Sequence, residues 1–377
     1  MGEIMIVAGE ASGDMHGAGL VAAMKRLDPT LRFFGVGDSA LAAQGVEILY
    51  PARQLAVVGI VEVLSHWREI RAALVGLTNR LKARPPSLLI LIDFPDFNLL
   101  LARRAKRLRI PIFYYISPQV WAWRSGRVRT IARLVDRLAV ILPFEEAFYR
   151  ERGVEQVAFV GHPLVDSVRP ELPSGEFRRR YAIAPETTVV GILPGSRRRE
   201  ITSILPDFIR TARLLQEQRP GICFLLPLAP TLSREDLGLS EAVLAELKIK
   251  VVSDLRYDLM AACDLVMAAS GTVTLELAIL RIPMVVTYRT APLTYLLGSA
   301  LVKVKYASLV NLVADREVVQ ELIQEAFTPD RLAEALLAIW PGSEGHGRLL
   351  AGLDEVCTRL GPGGATKKAA KMARELL

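Results

Sequence analysis

Cysteine and histidine are scarce in this chain. Only Cys223, Cys263 and Cys357, and His16, His66, His162 and His346, occur among 377 residues. None falls at the close spacing that zinc sites use, which argues against a metal site, and cysteines this far apart suggest reduced, structural thiols rather than a disulfide framework. Long apolar runs are missing too. No stretch approaches the ~18 residues a spanning helix needs, and "MGEIMIVAGEASGD" lacks the basic region, apolar core and cleavage site of an export signal, so a cytoplasmic protein is expected. There is no Asp-x-Asp triplet of the kind that bridges a metal to a diphosphate. The arginine-rich runs lack the interleaved aromatics on which single-stranded nucleic acid stacks, so nucleic acid is not an expected partner.

What the chain does have is apolar mass and positive charge. Hydrophobic residues make up 51% and mean hydropathy is +0.30. The net charge of +7 gathers in "RRAKRLR", "WRSGRVR", "FRRRY" and "SRRRE", which suits an anionic partner. Short apolar runs ending in Gly, Asp, Ser or Pro recur: "IMIVAGE", "RFFGVG", "SLLILID", "IFYYIS", "RLAVILP" and "VAFVGHP". Helix-period segments lie between most of them, as expected for a parallel sheet covered on both faces. After the Pro-rich link "LVDSVRPELPSGE" the pattern restarts with "TVVGILPGS", "ICFLLPL", "KVVSD", "DLVMAAS" and "MVVTY". The expectation is an α/β chain with two doubly wound, Rossmann-like domains, 1–170 and 171–340, facing a central cleft. The helical tail 341–377 is expected to pack back on the first domain.

One helix-period stretch is unusually apolar. At ~100° per residue, Val57, Val61, Leu64, Trp67, Ile70, Leu74, Val75 and Leu77 of "LAVVGIVEVLSHWREIRAALVGL" fan over roughly 200°, opposite Glu62, Ser65, His66 and Glu69. That is wider than one core contact needs. A helix wedged between sheet and neighbour is one reading; contact with lipid is the other.

In open α/β sheets ligands sit beyond the carboxyl ends of the strands. "AGEASGDMHGAGL" ends the first strand, with Gly9, Gly13 and Gly17 allowing close backbone approach, Glu10 at the tip, and Ser12 or Asp14 available to cap the next helix. Its glycine spacing is not the dinucleotide fingerprint. In "LIDFPDFN", Asp93 follows five apolar residues and emerges partly desolvated, which raises a carboxylate toward the range of a general base; Asp96 or Asn98 is available for capping. "ILPGSRRREI" offers Gly195, Ser196 and Arg197 to a phosphate at a helix start, with Glu200 supporting that start and Arg198 and Arg199 facing solvent or membrane. "MAASGTVTLELAIL" sets Ser270, Gly271 and Thr272 at another strand-to-helix turn, with Glu276 placed to accept ribose hydroxyls.

Together, "GEASGD", "IDFPDFN", "SPQVWAWR", "LPFE", "GHPL", "LPGSR" and "ASGT" resemble the motifs of the lipid-A-disaccharide synthase family, glycosyltransferases of GT-B type (family 19), in order over nearly the whole chain. "SPQVWAWR" with "GEASGD" is the specific pair; Val310 stands where the family commonly has Pro. The resemblance implies transfer of 2,3-diacylglucosamine from its UDP derivative to the 6-hydroxyl of 2,3-diacylglucosamine 1-phosphate, giving the β-1,6 disaccharide and UDP, with no cofactor and no metal. It carries Asp93 into the essential acidic position, with Glu10 as the rival base, and Arg197 into the essential basic one. UDP-sugar contacts are expected at Ser12, Gly13, Gln119, Gly195, Ser196, Arg197, Ser270, Gly271, Thr272, Glu276 and Asn311. Because both substrates carry acyl chains, Val57, Val58, Val61, Leu64 and Trp67 become candidate contacts with an anionic inner membrane, at its cytoplasmic face in a Gram-negative-type bacterium. An oligomer is compatible with all of this. A GT-B enzyme acting on an undecaprenyl-linked sugar and a UDP-sugar epimerase share the strand-end logic but not the specific pair of motifs.

Overall fold

The computed structural model describes residues 2–55, 67–173, 175–229, 231–290 and 304–377. The chain divides into two compact units, Met1–Pro163 with Pro362–Leu377, and Leu164–Gly361.

In the first unit apolar runs alternate with helices as the sequence implies. The elements are β1 (Glu3–Ala8), α1 (Ala11–Leu27), β2 (Arg32–Gly37), α2 (Ser39–Ala43), β3 (Val46–Pro51), α3 (Trp67–Ala83), β4 (Leu88–Ile92), α4 (Pro95–Arg107), β5 (Ile112–Tyr115), α5 (Val128–Leu134), β6 (Arg137–Val140), α6 (Pro143–Arg150) and β7 (Val157–Phe159). The strands form one sheet in the order β3-β2-β1-β4-β5-β6-β7, parallel throughout. Successive residues of β1 and β4 face opposite sides. Met5, Val7, Leu89 and Leu91 pack on the side of α3 to α5; Ile4, Ile6, Ala8, Leu88, Ile90 and Ile92 pack on the side of α1. Both faces are therefore dry, which explains runs of five buried residues where a half-exposed strand would alternate.

The second unit repeats the scheme with α7 (Leu164–Ser167), α8 (Glu176–Arg180), β8 (Val189–Leu193), α9 (Arg198–Gln218), β9 (Cys223–Pro227), α10 (Glu241–Glu246), β10 (Ile249–Val252), α11 (Arg256–Ala261), β11 (Leu265–Ala269), α12 (Val273–Ile279), β12 (Met284–Tyr288), α13 (Leu309–Ala314), β13 (Glu321–Ile323), α14 (Pro329–Ala338) and α15 (Glu344–Leu360). Its sheet runs β10-β9-β8-β11-β12-β13, again parallel.

The expected boundaries shift. The first unit ends at Pro163 rather than 170, and the tail 341–377 divides at Gly361. Helix α15 stays with the second unit, against α12 and α13. Only α16 (Ala365–Arg374) packs on α1. It does so through Ala369, Ala370 and Ala373, all fully buried; small side chains let the two helices approach closely. Strand β3 was not evident in the sequence, because "VEILYP" lies at the sheet edge with four half-buried residues.

Helix α3 accounts for the second half of the apolar stretch. Leu55 does not open a helix: it closes a 3-10 turn. Val57, Val58, Val61 and Leu64 lie outside the described residues, as does the side chain of Trp67. Leu74, Leu77 and Leu81 enter the core, and Gly76 is tight against β3, where a Cβ would lie 2.0 Å from the Tyr50 hydroxyl. Arg104 of α4 donates to the Leu74 carbonyl at 2.8 Å and to Thr78 Oγ1 at 2.6 Å. The outward face carries Arg68, Arg71, Ala72 and Lys82 with Val75, 46% exposed. Leu77→Ala is expected to cost about 2–5 kcal/mol in urea unfolding, whereas Val75→Ser should stay within about 0.5 kcal/mol of the parent. Equal costs would contradict this assignment of faces.

Candidate functional site

The strand order reverses between β1 and β4 in the first sheet and between β8 and β11 in the second. These are the switch points at which doubly wound folds open a crevice, and the motif residues stand at them.

At the first switch point β1 hands over to Gly9 and Glu10, and β4 to Asp93. A Cβ on Gly9 would lie 2.2 Å from the Phe94 ring, so only glycine lets the two strand ends close on each other. Asp93 and Phe94 both adopt left-handed backbone, with φ of 44° and 47°. Non-glycine residues there cost on the order of 1 kcal/mol or more each. The turn is held by its neighbours. Asp93 N–H donates to the Ile116 carbonyl at 3.2 Å, while the Asp93 carbonyl accepts from Asn98 Nδ2 at 2.8 Å and from the Tyr114 hydroxyl at 2.5 Å. Asn98 thus does not cap α4; it reaches back, also to the Ile92 carbonyl at 3.2 Å. Asp96 does not cap either, and pairs with Arg124 and Arg127.

Burial, and next the Glu10 carboxylate, push Asp93 up to about 6, opposed by the hydrogen bond with Phe94. Glu10 itself is exposed and precedes α1 without making a side-chain cap. Ser12 is exposed and Gly13 buried in the first turn of α1. Asp14 caps a different helix: its carboxylate accepts from the amides of Asp38 at 2.7 Å and Ala40 at 2.9 Å, at the start of α2. Burial lowers His16 to about 4; burial and then His16 lower His162 to about 3. Both imidazoles are neutral, a feature the isolated histidines did not disclose. Gln119 is exposed on the loop after β5.

At the second switch point Gly195 takes φ +113°, and a Cβ there would sit 2.2 Å from Glu200 Oε2. That carboxylate supports the start of α9 by accepting from the amides of Ser196 at 2.9 Å and Arg197 at 3.2 Å. It also pairs with the Arg197 guanidinium at 3.3 Å. The loop amides are therefore spoken for within the chain. What remains for an anion is the Arg197 side chain, 69% exposed. Ser270 Oγ donates to the Ala307 carbonyl at 2.8 Å, leaving Gly271 and Thr272 exposed at the start of α12. Glu276 is buried and paired with Arg256; burial raises its pKa and Arg256 opposes that rise. Arg256 gave no sequence signal because it lies twenty residues upstream.

Asn311, an expected nucleotide contact, has its side chain engaged within the second unit. Fully buried, its Nδ2 donates to the Val319 carbonyl and Glu321 Oε1, both at 2.8 Å. Its Oδ1 accepts from the amides of Val318 at 2.7 Å and Val319 at 3.0 Å. All its hydrogen-bonding capacity is consumed in joining α13 to β13. Among the described residues no group of three His, Cys, Asp or Glu is placed to hold a metal ion, and no helix is long and apolar enough to cross a membrane.

Comparison with known proteins decides between chemistries that such strand ends could serve. Residues 4–345 match the family described as lipid-A-disaccharide synthetase. The chain belongs to the lipid-A-disaccharide synthase family. It is similar to lipid-A-disaccharide synthases from Geobacter sulfurreducens, at 48% identity over 99% of this chain and 97% of that protein, and from Coxiella burnetii, at 37% over 99% and 98%. It is accordingly a glycosyltransferase of lipid A biosynthesis. Solved structures place the fold among GT-B proteins. They include the S. aureus MnaA-UDP co-structure, with a TM-score of 0.65 and 13% identity over 98% of this chain and 94% of that one. Another is UDP-GlcNAc 2-epimerase from Neisseria meningitidis bound to UDP-GlcNAc, with a TM-score of 0.63 and 11% identity over 99% of both. At such identities the likeness speaks to fold alone.

The charge on Asp93 has a cost in stability. Because its pKa rises from 3.8 to about 6 on folding, the native state holds the proton more tightly, and stability falls as pH rises through that window. Asp93→Asn is expected to stabilise the protein by on the order of 1–3 kcal/mol above pH ~7 and to change little near pH ~4. Urea unfolding at the two pH values measures this; an equal effect at both would contradict it.

Proposed function

We propose that the protein is an inverting, metal-independent hexosyltransferase. It moves 2,3-diacylglucosamine from the UDP derivative to the 6-hydroxyl of 2,3-diacylglucosamine 1-phosphate. The observation that carries the reading is Asp93, a carboxylate raised by burial into the range of a general base at the switch point of one sheet. The counterpart is Arg197, an exposed guanidinium at the switch point of the other. As the acceptor oxygen bonds to the sugar C1, Asp93 takes its proton. The bond from C1 to the diphosphate breaks, its electron pair leaves with UDP, and Arg197 offsets the developing charge. Glu10 is the alternative base. Exposed Gly271 and Thr272, with Glu276 once it exchanges Arg256 for ribose, would hold the nucleoside; neighbours solved with UDP and with UDP-GlcNAc support that donor class. Ser12, Gly13 and Gln119 are further candidate contacts for the UDP-sugar.

Acylated substrates call for a membrane surface. The outer face of α3, with Arg68, Arg71 and Lys82 around Ala72 and Val75, suits anionic head groups. We place the enzyme peripherally on the cytoplasmic face of the inner membrane.

Incubating the purified protein with the two acylated glucosamines, with mass detection of disaccharide and UDP, tests the reading; no disaccharide would end it. Asp93→Asn should lower turnover at least ~100-fold with UDP affinity unchanged, and near-normal turnover would move the base to Glu10. Arg197→Ala should weaken UDP binding by about tenfold or more and slow transfer with it. Reversing Arg68 and Arg71 to Glu should cut sedimentation with anionic vesicles by on the order of tenfold; unchanged sedimentation would take α3 off the membrane.

A further inference from the structure

The "LPFE" segment contributes a carboxylate with no assigned task. Glu145, in the first turn of α6, is 2% exposed, and its oxygens are engaged from two directions. Oε1 accepts from the indole Nε1–H of Trp121 at 3.0 Å. Oε2 accepts from the amides of Leu142 at 2.9 Å and Ile141 at 3.2 Å. Three donors face it, and the ionised form, an acceptor at both oxygens, satisfies them best. The indole also meets the Phe144 ring edge-on, with centroids 5.0 Å apart.

Trp121 belongs to the loop that leaves β5 at Ile116, whose carbonyl accepts from the Asp93 amide. The loop returns through Arg124 and Arg127 to Asp96, at the start of α4. Between these ends Ser117 Oγ bonds the Tyr149 hydroxyl at 2.5 Å. The loop therefore spans the strand end that presents Asp93, and Trp121 is its anchor to the next helix.

We propose that Glu145 is a positioning residue for the transfer: its carboxylate grips Trp121 and thereby holds the loop 116–127 in place over Asp93. This rests on the reading of Asp93 as the base. The groups that bear on the grip come from every side. Glu145 meets the charge of Asp93 from β4 and interacts with Tyr149 on its own helix. Asp93 meets Glu10 beyond β1 and interacts with Tyr114 of β5, which also feels Arg127. Burial first, and the Asp93 charge as well, push Glu145 up to about 7 against the pull of its three donors. Protonation turns an acceptor into an O–H facing an N–H, so the grip loosens as pH falls through that value.

The test uses two variants and one spectroscopic reporter. Trp121→Phe keeps the ring against Phe144 and removes the donor. Glu145→Gln keeps the size but offers a carbonyl to only one side. Both are expected to lower kcat roughly ten- to hundredfold with the KM for the UDP-sugar nearly unchanged, and to reduce the acid limb of the pH profile from two protons to one. With Trp67, Trp123 and Trp340 replaced by Phe, the emission of Trp121 should titrate with a midpoint at about 7. It should be flat in Glu145→Gln and titrate at lower pH in Asp93→Asn. Wild-type kcat in a folded Trp121→Phe, or emission that ignores Glu145, overturns the proposal. Normal turnover in Asp93→Asn with the emission titration intact would instead remove the base reading and leave the grip standing.

Discussion

The first switch point is built around one unfavourable arrangement: a carboxylate kept out of water beside another carboxylate. Asp93 is forced there by its backbone. Two consecutive left-handed residues turn the chain out of β4, and Asn98, Tyr114 and Ile116 occupy the polar groups of that turn so that it cannot relax. Gly9 completes the enclosure, because the Phe94 ring fills the space where its Cβ would be. The site is expensive locally and is sustained by the all-parallel sheet beneath it, whose two dry faces supply the stabilisation that the turn consumes.

The second unit solves the opposite problem, presenting a positive charge that its one carboxylate partner only partly covers. Glu200 satisfies the amides of the Gly195 to Arg197 turn and holds one side of the Arg197 guanidinium. The rest of that guanidinium faces outward. A helix start that left its amides bare would bind any anion; this one seats its own carboxylate and leaves the exposed side of the Arg197 guanidinium.

Much of this was legible in the sequence because the governing signals are local. A buried parallel strand is a run of apolar residues, and the residue that ends it emerges at the ligand edge, so β1, β4, β8 and β11 and the positions of Glu10, Asp93, Arg197 and Ser270 could be read directly. Strands β3 and β13 could not, being short or half-exposed edges whose identity comes from pairing. The partners of Asn311 were hidden for a related reason: they lie on and beside β13, and only the fold brings them to its side chain. Glu145 escaped for the converse reason. Its donors come from its own helix start and from a loop twenty-four residues upstream, and only the fold brings the indole to it.

Helix α16 belongs in space to the first unit but is written last in the chain, after the whole of the second. On the ribosome, the faces of Leu20, Ala23 and Met24 must wait for a cover that is synthesised more than three hundred residues later. The first unit is thus nearly built when its sheet emerges and completed only after the whole of the second has been synthesised. A chain interrupted before Ala365 therefore leaves an apolar seam open on the first unit for quality control to find.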